Sequence, residues 1–242
     1  SDVVELVVDS PFDFASRAIL YLPEDLPEPS APDFDRAAAE RALELIKITD
    51  GGAFVLCTSV RSMRALHVRM FQRVPGPIFL QGDAPKHMLL SRFRASKNGV
   101  LVATSSFWEG VDVPGHALRL VVLDKIPFAV PTDPVVAARS ARIDREGCNS
   151  FSQYSVPAAA ITLKQGFGRL LRTQTDYGIV ALLDRRATKK GYGKSLLRSL
   201  PPATRVTTLD EVSSFYARVS KEPGGSIRPE NGPISPQDDD DP

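Results

Sequence analysis

Two spacings of apolar residues alternate along this chain: short dense runs, and longer stretches in which apolar positions return every three or four residues. The dense runs are AILYLP (18–23), AFVLCTS (53–59), PIFLQG (77–82), GVLVATSS (99–106), LRLVVLDKIPF (118–128) and GIVALLD (178–184). Continuous apolar, β-branched runs of this kind read as strands buried on both faces, since a half-exposed strand would alternate. The longer spacing marks helices. One begins at an Asp33 or Asp35 cap, runs through FDRAAAERALELIKI and stops at Asp50-Gly51-Gly52. Others are predicted over 61–73, from Pro85 to Asn98-Gly99, over about 134–146 and within 160–184, with a loop at 149–155. Buried strands alternating with helices predict an α/β domain with a mainly parallel sheet covered on both faces. Ligands on such sheets sit at the strands' C-terminal ends, here marked by Thr58-Ser59, Thr104-Ser105-Ser106, Asp124-Lys125 and Asp184. Residues 1–32, with a short alternation at Val3–Val8, a candidate edge strand at 18–23 and a proline-rich connection, read as a peripheral lead-in to a domain over 33–220. Residues 221–242, rich in Pro, Gly and acid and ending in the Asp238–Asp241 run, read as a disordered acidic tail.

Within 160–184, helical spacing sets Gln165, Arg169 and Arg172 on one polar stripe and Leu163, Phe167 and Leu170 roughly opposite. Two arginines three residues apart repel each other, and no acid in the helix neutralises them. An external anion would, and a planar guanidinium fork suits phosphate. A solvated basic face fits the same pattern. Gly166 and Gly168 each cost about 1 kcal/mol relative to Ala in a helix interior, a penalty that makes sense where a ligand or backbone must come close.

Charge and cysteines narrow the classes. The formal net charge is only +1, yet residues 61–98 hold eight cations against the single acid Asp83, and residues 185–198 hold six cations and no acid. Acids gather in 24–44 and in the tail. This asymmetry suits a surface facing a polyanion such as nucleic acid, and equally suits helices with basic outer faces. Cys57 and Cys148 are only two, with no C-x-x-C and three scattered histidines, so neither a disulfide framework nor a metal site is predicted. No apolar run reaches the roughly 18 residues of a membrane span, and no secretory signal pattern opens the sequence, so a soluble, cytoplasmic protein without membrane partners is expected.

TKKGYGKS (188–195) ends like a phosphate-binding P-loop and precedes a helical pattern, but Thr188 stands where that motif needs its first glycine. A larger set of motifs is more specific: VLCTSVRSM (55–63), QGDAPKHMLLSRF (81–93), ATSSFWEGVDVPG (103–115), LDKIPF (123–128), DPVVAAR (133–139) and QGFGRLLR (165–172), in that order between SPFDF and SLPPA. With these the chain resembles the second RecA-like motor domain of superfamily-two helicases, most closely the DinG-type, XPD-like DNA helicases.

The resemblance implies a RecA-like fold of the P-loop NTPase type without its own P-loop, belonging to the C-terminal part of a larger ATP-dependent DNA helicase. It implies that Arg169 and Arg172 act as arginine fingers and Gln165 as a sensor on ATP and Mg2+ held by a first motor domain of the same polypeptide. Glu109, Gly110, Asp112 and Gly168 would then lie in the ATP-binding and coupling region. Thr58, Ser59, Arg61, Thr104, Ser105, Ser106 and Trp108 would hold single-stranded DNA. Strand-end hydroxyls that merely cap the next helix, and a tryptophan that anchors its loop, are the structural counterparts of those roles. An iron–sulfur cluster, held by four cysteines in relatives, would belong to the first domain. The implied protein is monomeric and nucleoid-associated. Two other readings stay open: a non-catalytic nucleic-acid-binding module of similar fold, and a stand-alone P-loop kinase or NTPase using Lys194 and Ser195.

Overall fold

In the computed structural model the described residues are 13–104, 107, 113, 117–171, 173 and 175–221. The elements in chain order are α1 (Phe14–Arg17), β1 (Ala18–Tyr21), α2 (Phe34–Thr49), β2 (Ala53–Cys57), α3 (Val60–Met70), β3 (Ile78–Leu80), α4 (Lys86–Ala95), β4 (Val100–Thr104), β5 (Leu120–Leu123), α5 (Pro134–Arg145), a π-helical turn (Phe151–Ser155), α6 (Val156–Leu170), β6 (Gly178–Leu182), α7 (Arg186–Lys189), α8 (Gly191–Arg198), β7 (Thr204–Val206) and α9 (Leu209–Val219). The strands form one seven-stranded sheet in the order β3-β4-β2-β5-β6-β1-β7, and every pairing in it is parallel.

The pleat divides each apolar run between two cores, because successive strand side chains point to opposite faces. Phe54 and Leu56, Leu101 and Ala103, Val121 and Leu123, and Val180 and Leu182 pack on one face with Leu89, Leu90 and Phe93 of α4, Leu163, Phe167 and Leu170 of α6, and Leu196 and Leu197 of α8. Ala53, Val55 and Cys57, Val100 and Val102, Leu120 and Val122, and Ile179 and Ala181 pack on the other with α2, α3 and α9. The stop predicted after α2 is a left-handed turn at Asp50 (φ 50°) followed by Gly51 at φ 76°. Any side chain at Gly51 would lie 2.2 Å from the Asn98 carbonyl oxygen, so the turn is closed to other residues.

Several expectations need correction. The strand at 18–23 is not at an edge: β1 lies between β6 and β7, with all four residues buried. The sheet therefore includes part of the stretch read as a lead-in, and the folded unit starts before residue 33. The edges are β3, partly buried throughout, and β7, a short TRV strand with two exposed residues that no apolar run announces. The segment read as a loop at 149–155 contains the π-helical turn, which runs straight into α6. The Gly193-Lys194-Ser195 triplet lies inside α8, one short helix removed from β6. The Gly193 N–H is bonded to the Lys190 carbonyl, and a side chain there would collide with the Ala187 carbonyl oxygen at 2.1 Å. A helical backbone packed this way cannot wrap phosphates as a P-loop does. The acidic tail expected over 221–242 lies, apart from residue 221, outside the described residues. No helix among the described residues is long and apolar enough to cross a membrane.

Candidate nucleic-acid interface

The parallel sheet brings the ends of β2, β3, β4, β5 and β6 to one edge, and their polar residues are bonded across it. At the end of β2 the Thr58 N–H donates to Asp124 Oδ1 at 2.9 Å, which ties the β2–α3 loop to the end of β5. Ser59 Oγ caps α3 by accepting from the Ser62 N–H at 3.1 Å. At the neighbouring strand end Thr104 donates from both its N–H (2.7 Å) and its hydroxyl (3.0 Å) to Gln81 Oε1, just beyond β3. Ser59 and Thr104 thus have structural duties, as strand-end hydroxyls often do. Among the described residues of the β2–α3 turn, Ser59, Val60 and the cations Arg61 and Arg64 face outward.

Two carboxylates organise the edge. Asp124 is fully buried, with Oδ2 lacking a hydrogen-bond partner. Burial pushes its carboxyl up to about 6, an effect that Lys125 and the N–H donors of Thr58 and Lys125 oppose and Asp35 reinforces. A carboxyl whose pKa rises on folding binds its proton more tightly in the folded state. Its contribution to stability is therefore largest below about 4 and is lost as pH rises through about 6. The stability of the wild type relative to Asp124→Asn is predicted to fall between pH 4 and pH 6 by about 3 kcal/mol at most, as read from urea midpoints at several pH values. A pH-independent difference would show that Asp124 stays ionised. Asp184 accepts from the Ile126 N–H (3.0 Å), the Arg186 N–H (3.0 Å) and two guanidinium nitrogens of Arg186 (2.9 and 2.6 Å), joining the ends of β5 and β6.

The charge asymmetry along the chain is partly cancelled in space. Arg185 and Lys189 reach Glu28 (3.5 Å) and Glu24 (3.2 Å), and Arg73 forms a double bond pattern with Glu40 at 2.7 Å. Such exposed pairs add little stability, but they remove cations from the set that could meet a polyanion. On α8, Lys194 is exposed, as is Lys190 just before it.

On α6, Leu163, Phe167 and Leu170 are buried, with the Phe167 ring edge-on to Phe14 at 6.4 Å, while Lys164, Gln165 and Gly168 are exposed. Among the described residues nothing lies within 4 Å of a side chain built at Gly168, so none of their packing demands this glycine. It lines an apolar cavity of about 420 Å³ with Phe14, Lys164 and the 199–202 turn. Arg169 follows on α6, but its side chain lies outside what is described. The helix ends at Leu170 with Leu171 extended, and Arg172, expected on the same helical stripe, is outside the described residues. So are Ser105, Ser106, Trp108, Glu109, Gly110 and Asp112. The described anchors of that loop are Phe107 and Val113, both buried, with Lys86 Nζ 5.1 Å above the Phe107 ring.

Sequence reasoning missed Gln81, whose amide carbonyl seats Thr104, and Arg119. The latter is buried and donates to the carbonyls of Thr49 (3.2 Å), Asp50 (2.9 Å) and Lys97 (3.1 Å) at the opposite, N-terminal edge. A cation next to a buried strand was its one sequence signal. Cys57 is buried and Cys148 exposed; burial pushes the Cys57 thiol up, which keeps it protonated. Among the described residues no group of three or more His, Cys, Asp or Glu could hold a metal.

Residues 42–203 match the family model of the helicase C-terminal domain. The chain is 41% identical over 212 residues to the ATP-dependent DNA helicase YoaA of Escherichia coli K12, covering 88% of this chain and 33% of that protein. It is 39% identical over 217 residues to the ATP-dependent helicase DinG of Mycobacterium tuberculosis, covering 89% and 33%. It thus spans about a third of the length of these relatives. A solved XPD helicase superposes with a TM-score of 0.58 at 22% identity, over 79% of this chain and 36% of that one, a likeness of fold.

Proposed function

This chain belongs to the helicase C-terminal domain family, in its DinG- and XPD-like branch of superfamily two, and from that premise we propose that it is the second motor domain of an ATP-dependent DNA helicase. Its α6 presents Arg169, with Gln165 on the same exposed face and Arg172 just beyond the helix end, to Mg-ATP held by a first motor domain. The arginines stabilise charge on the transferring phosphoryl group, and Gln165 orients the attacking water. Thr58, Ser59, Arg61, Thr104, Ser105, Ser106 and Trp108 hold the backbone of a single strand, while Glu109, Gly110, Gly168 and Asp112 couple that grip to the nucleotide. Any iron–sulfur cluster lies in another part of the protein, since a buried protonated Cys57 and an exposed Cys148 do not make a ligand set.

The observation that carries this reading is α6 itself. Its apolar stripe is buried at Leu163, Phe167 and Leu170, while Gln165 and Gly168 are exposed and no described residue packs where a side chain at Gly168 would lie. Nucleotide titration tests it. The 242-residue chain is expected to bind Mg-ATP weakly at most and to hydrolyse none, with DNA-stimulated hydrolysis appearing only alongside the first motor domain. Tight Mg-ATP binding and turnover by this chain alone would restore the stand-alone NTPase.

The strand grip makes a separate prediction. Binding of single strands should be weak, largely independent of sequence and strongly salt-dependent, because phosphate-directed cations release counterions. Charge reversal at Arg61 or Arg64 should lower affinity and flatten the slope of log K against log salt by about one each. Affinity unchanged between low and high salt would remove the phosphate-facing surface.

A further inference from the structure

Between β5 and α6 the chain makes an excursion that its own core does not need. None of the twelve residues of α5 is buried, and none in the π-helical turn 151–155 is either. Val130, Val135 and Phe151 are exposed at 57%, 59% and 40%. Amphipathic helices normally owe their stability to a buried stripe, so this excursion has an outer face that no described residue covers. Single π-helical turns joined to an α-helix, as here, are frequent at functional sites.

The aromatic residues here are arranged as a cluster. Phe151 on the π-turn, Phe128 beyond β5 and Tyr192 on α8 meet mutually, with ring centroids 5.3 Å (Phe128 to Phe151), 5.1 Å (Phe151 to Tyr192) and 5.8 Å (Phe128 to Tyr192) apart. Arg186, clamped by Asp184, lies 6.0 Å above the Phe128 ring. One turn along, Arg139 of α5 lies 5.8 Å above the ring of Tyr154. The cluster therefore stands at the C-terminal ends of β5 and β6, on the same edge of the sheet as Thr58 and Thr104. Rings interleaved with guanidinium groups, one ring exposed, beside the exposed Lys190 and Lys194, match what a single nucleic-acid strand requires: π faces for bases and cations for phosphates.

We propose that Phe128, Phe151 and Tyr192 form a stacking platform for an unpaired base of a strand crossing this edge, with Arg139 and Arg186 beside its phosphates. A duplex does not fit the role, because its bases are already stacked on one another. The inference rests on the reading of the chain as a strand-gripping motor domain and adds a second contact point to the grip.

Fluorescence anisotropy of the 242-residue chain with a labelled 20-nucleotide single strand, and with the same strand made abasic, tests it. Phe151→Ala and Phe151→Leu are expected to weaken binding to the ordinary strand about 5- to 100-fold, the range for loss of a stacked base. Phe151→Trp should keep it. The salt slope should not change in any of these variants, since no phosphate contact is removed. The wild type should bind the abasic strand as weakly as Phe151→Ala binds the ordinary one, and 2-aminopurine fluorescence should be quenched by the wild type but not by Phe151→Ala. Melting temperatures within a few degrees of the wild type's, expected for a ring 40% exposed that packs on Phe128 and Tyr192, would exclude misfolding. Wild-type affinity in Phe151→Leu, or equal weakening on both strands, would overturn the platform. If Arg61→Glu still lowered affinity in that case, the strand grip would stand without it; absence of any strand binding by the wild type at low salt would end both.

Discussion

On the proposed function, replacing Arg169 by Ala in the full-length protein is expected to lower kcat by about 10³-fold or more, the scale on which arginine fingers act. The reason is geometric. Arg169 is four residues from Gln165 on α6, whose opposite stripe is locked into the core at Leu163, Phe167 and Leu170. A helix held this firmly on one side cannot rotate, so whatever its other side carries is aimed in advance, and preorganised charge costs no reorganisation during reaction. Arg172→Ala should behave similarly. KM for ATP should change less, since the finger acts on charge that develops in the transition state. Arg169→Lys should rescue little, because an ammonium on a flexible stem cannot reproduce the two-pronged fork. On that assignment neither alanine variant should destabilise the isolated domain by more than about 0.5 kcal/mol, since a finger acts on the nucleotide and not on the domain's packing. Were Arg169→Ala to keep DNA-stimulated ATPase while lowering the domain's melting temperature by many degrees, the residue would be a packing element and the finger assignment would fall.

A large effect on folding, by contrast, is expected at Asp184. Its carboxylate is 1% exposed and is the acceptor for the Ile126 N–H, the Arg186 N–H and the Arg186 guanidinium. Asp184→Ala leaves the N–H groups of Ile126 and Arg186 without an acceptor and strands a half-buried cation. Breaking a buried pair by removing one partner costs about 3–5 kcal/mol. Because the Arg186 side chain keeps 30% of its exposure, the lower end applies, about 3 kcal/mol. For a domain of this size that lowers Tm by about 6–12 °C. Asp184→Asn, which keeps an acceptor but not the charge, should cost less. Adding Arg186→Met to Asp184→Ala should recover part of the loss, since the stranded cation is then gone. A Tm within a degree or two of the wild type for Asp184→Ala would mean that water replaces the carboxylate and that the β5 and β6 ends do not depend on it.

The dense runs at 53–57, 100–104, 120–123 and 178–182 were readable as buried parallel strands because, apart from a closing Thr104 and an opening Gly178, each is apolar at every position, the pattern of a sheet covered on both faces. The amphipathic stripe of α6 was readable for the same kind of reason, and so was the α2 stop at Asp50-Gly51-Gly52, where the backbone itself demands glycine. Together with the ordered motifs they placed the chain among helicase motor domains. Local spacing carries no information about which strands become neighbours, so β1 looked like an edge until its register with both β6 and β7 set it inside the sheet. The TRV strand was invisible, since an edge strand needs only backbone pairing on one side and no apolar run. The basic block at 185–198 looked unopposed because its acids, Glu24 and Glu28, are about 160 residues away and meet Lys189 and Arg185 only through the fold. Asp124 and Asp184 could be marked as strand-end polar residues from sequence. That one holds the Thr58 loop and the other joins two strand ends follows from the parallel order of the sheet, which brings both carboxylates to one edge and buries them there.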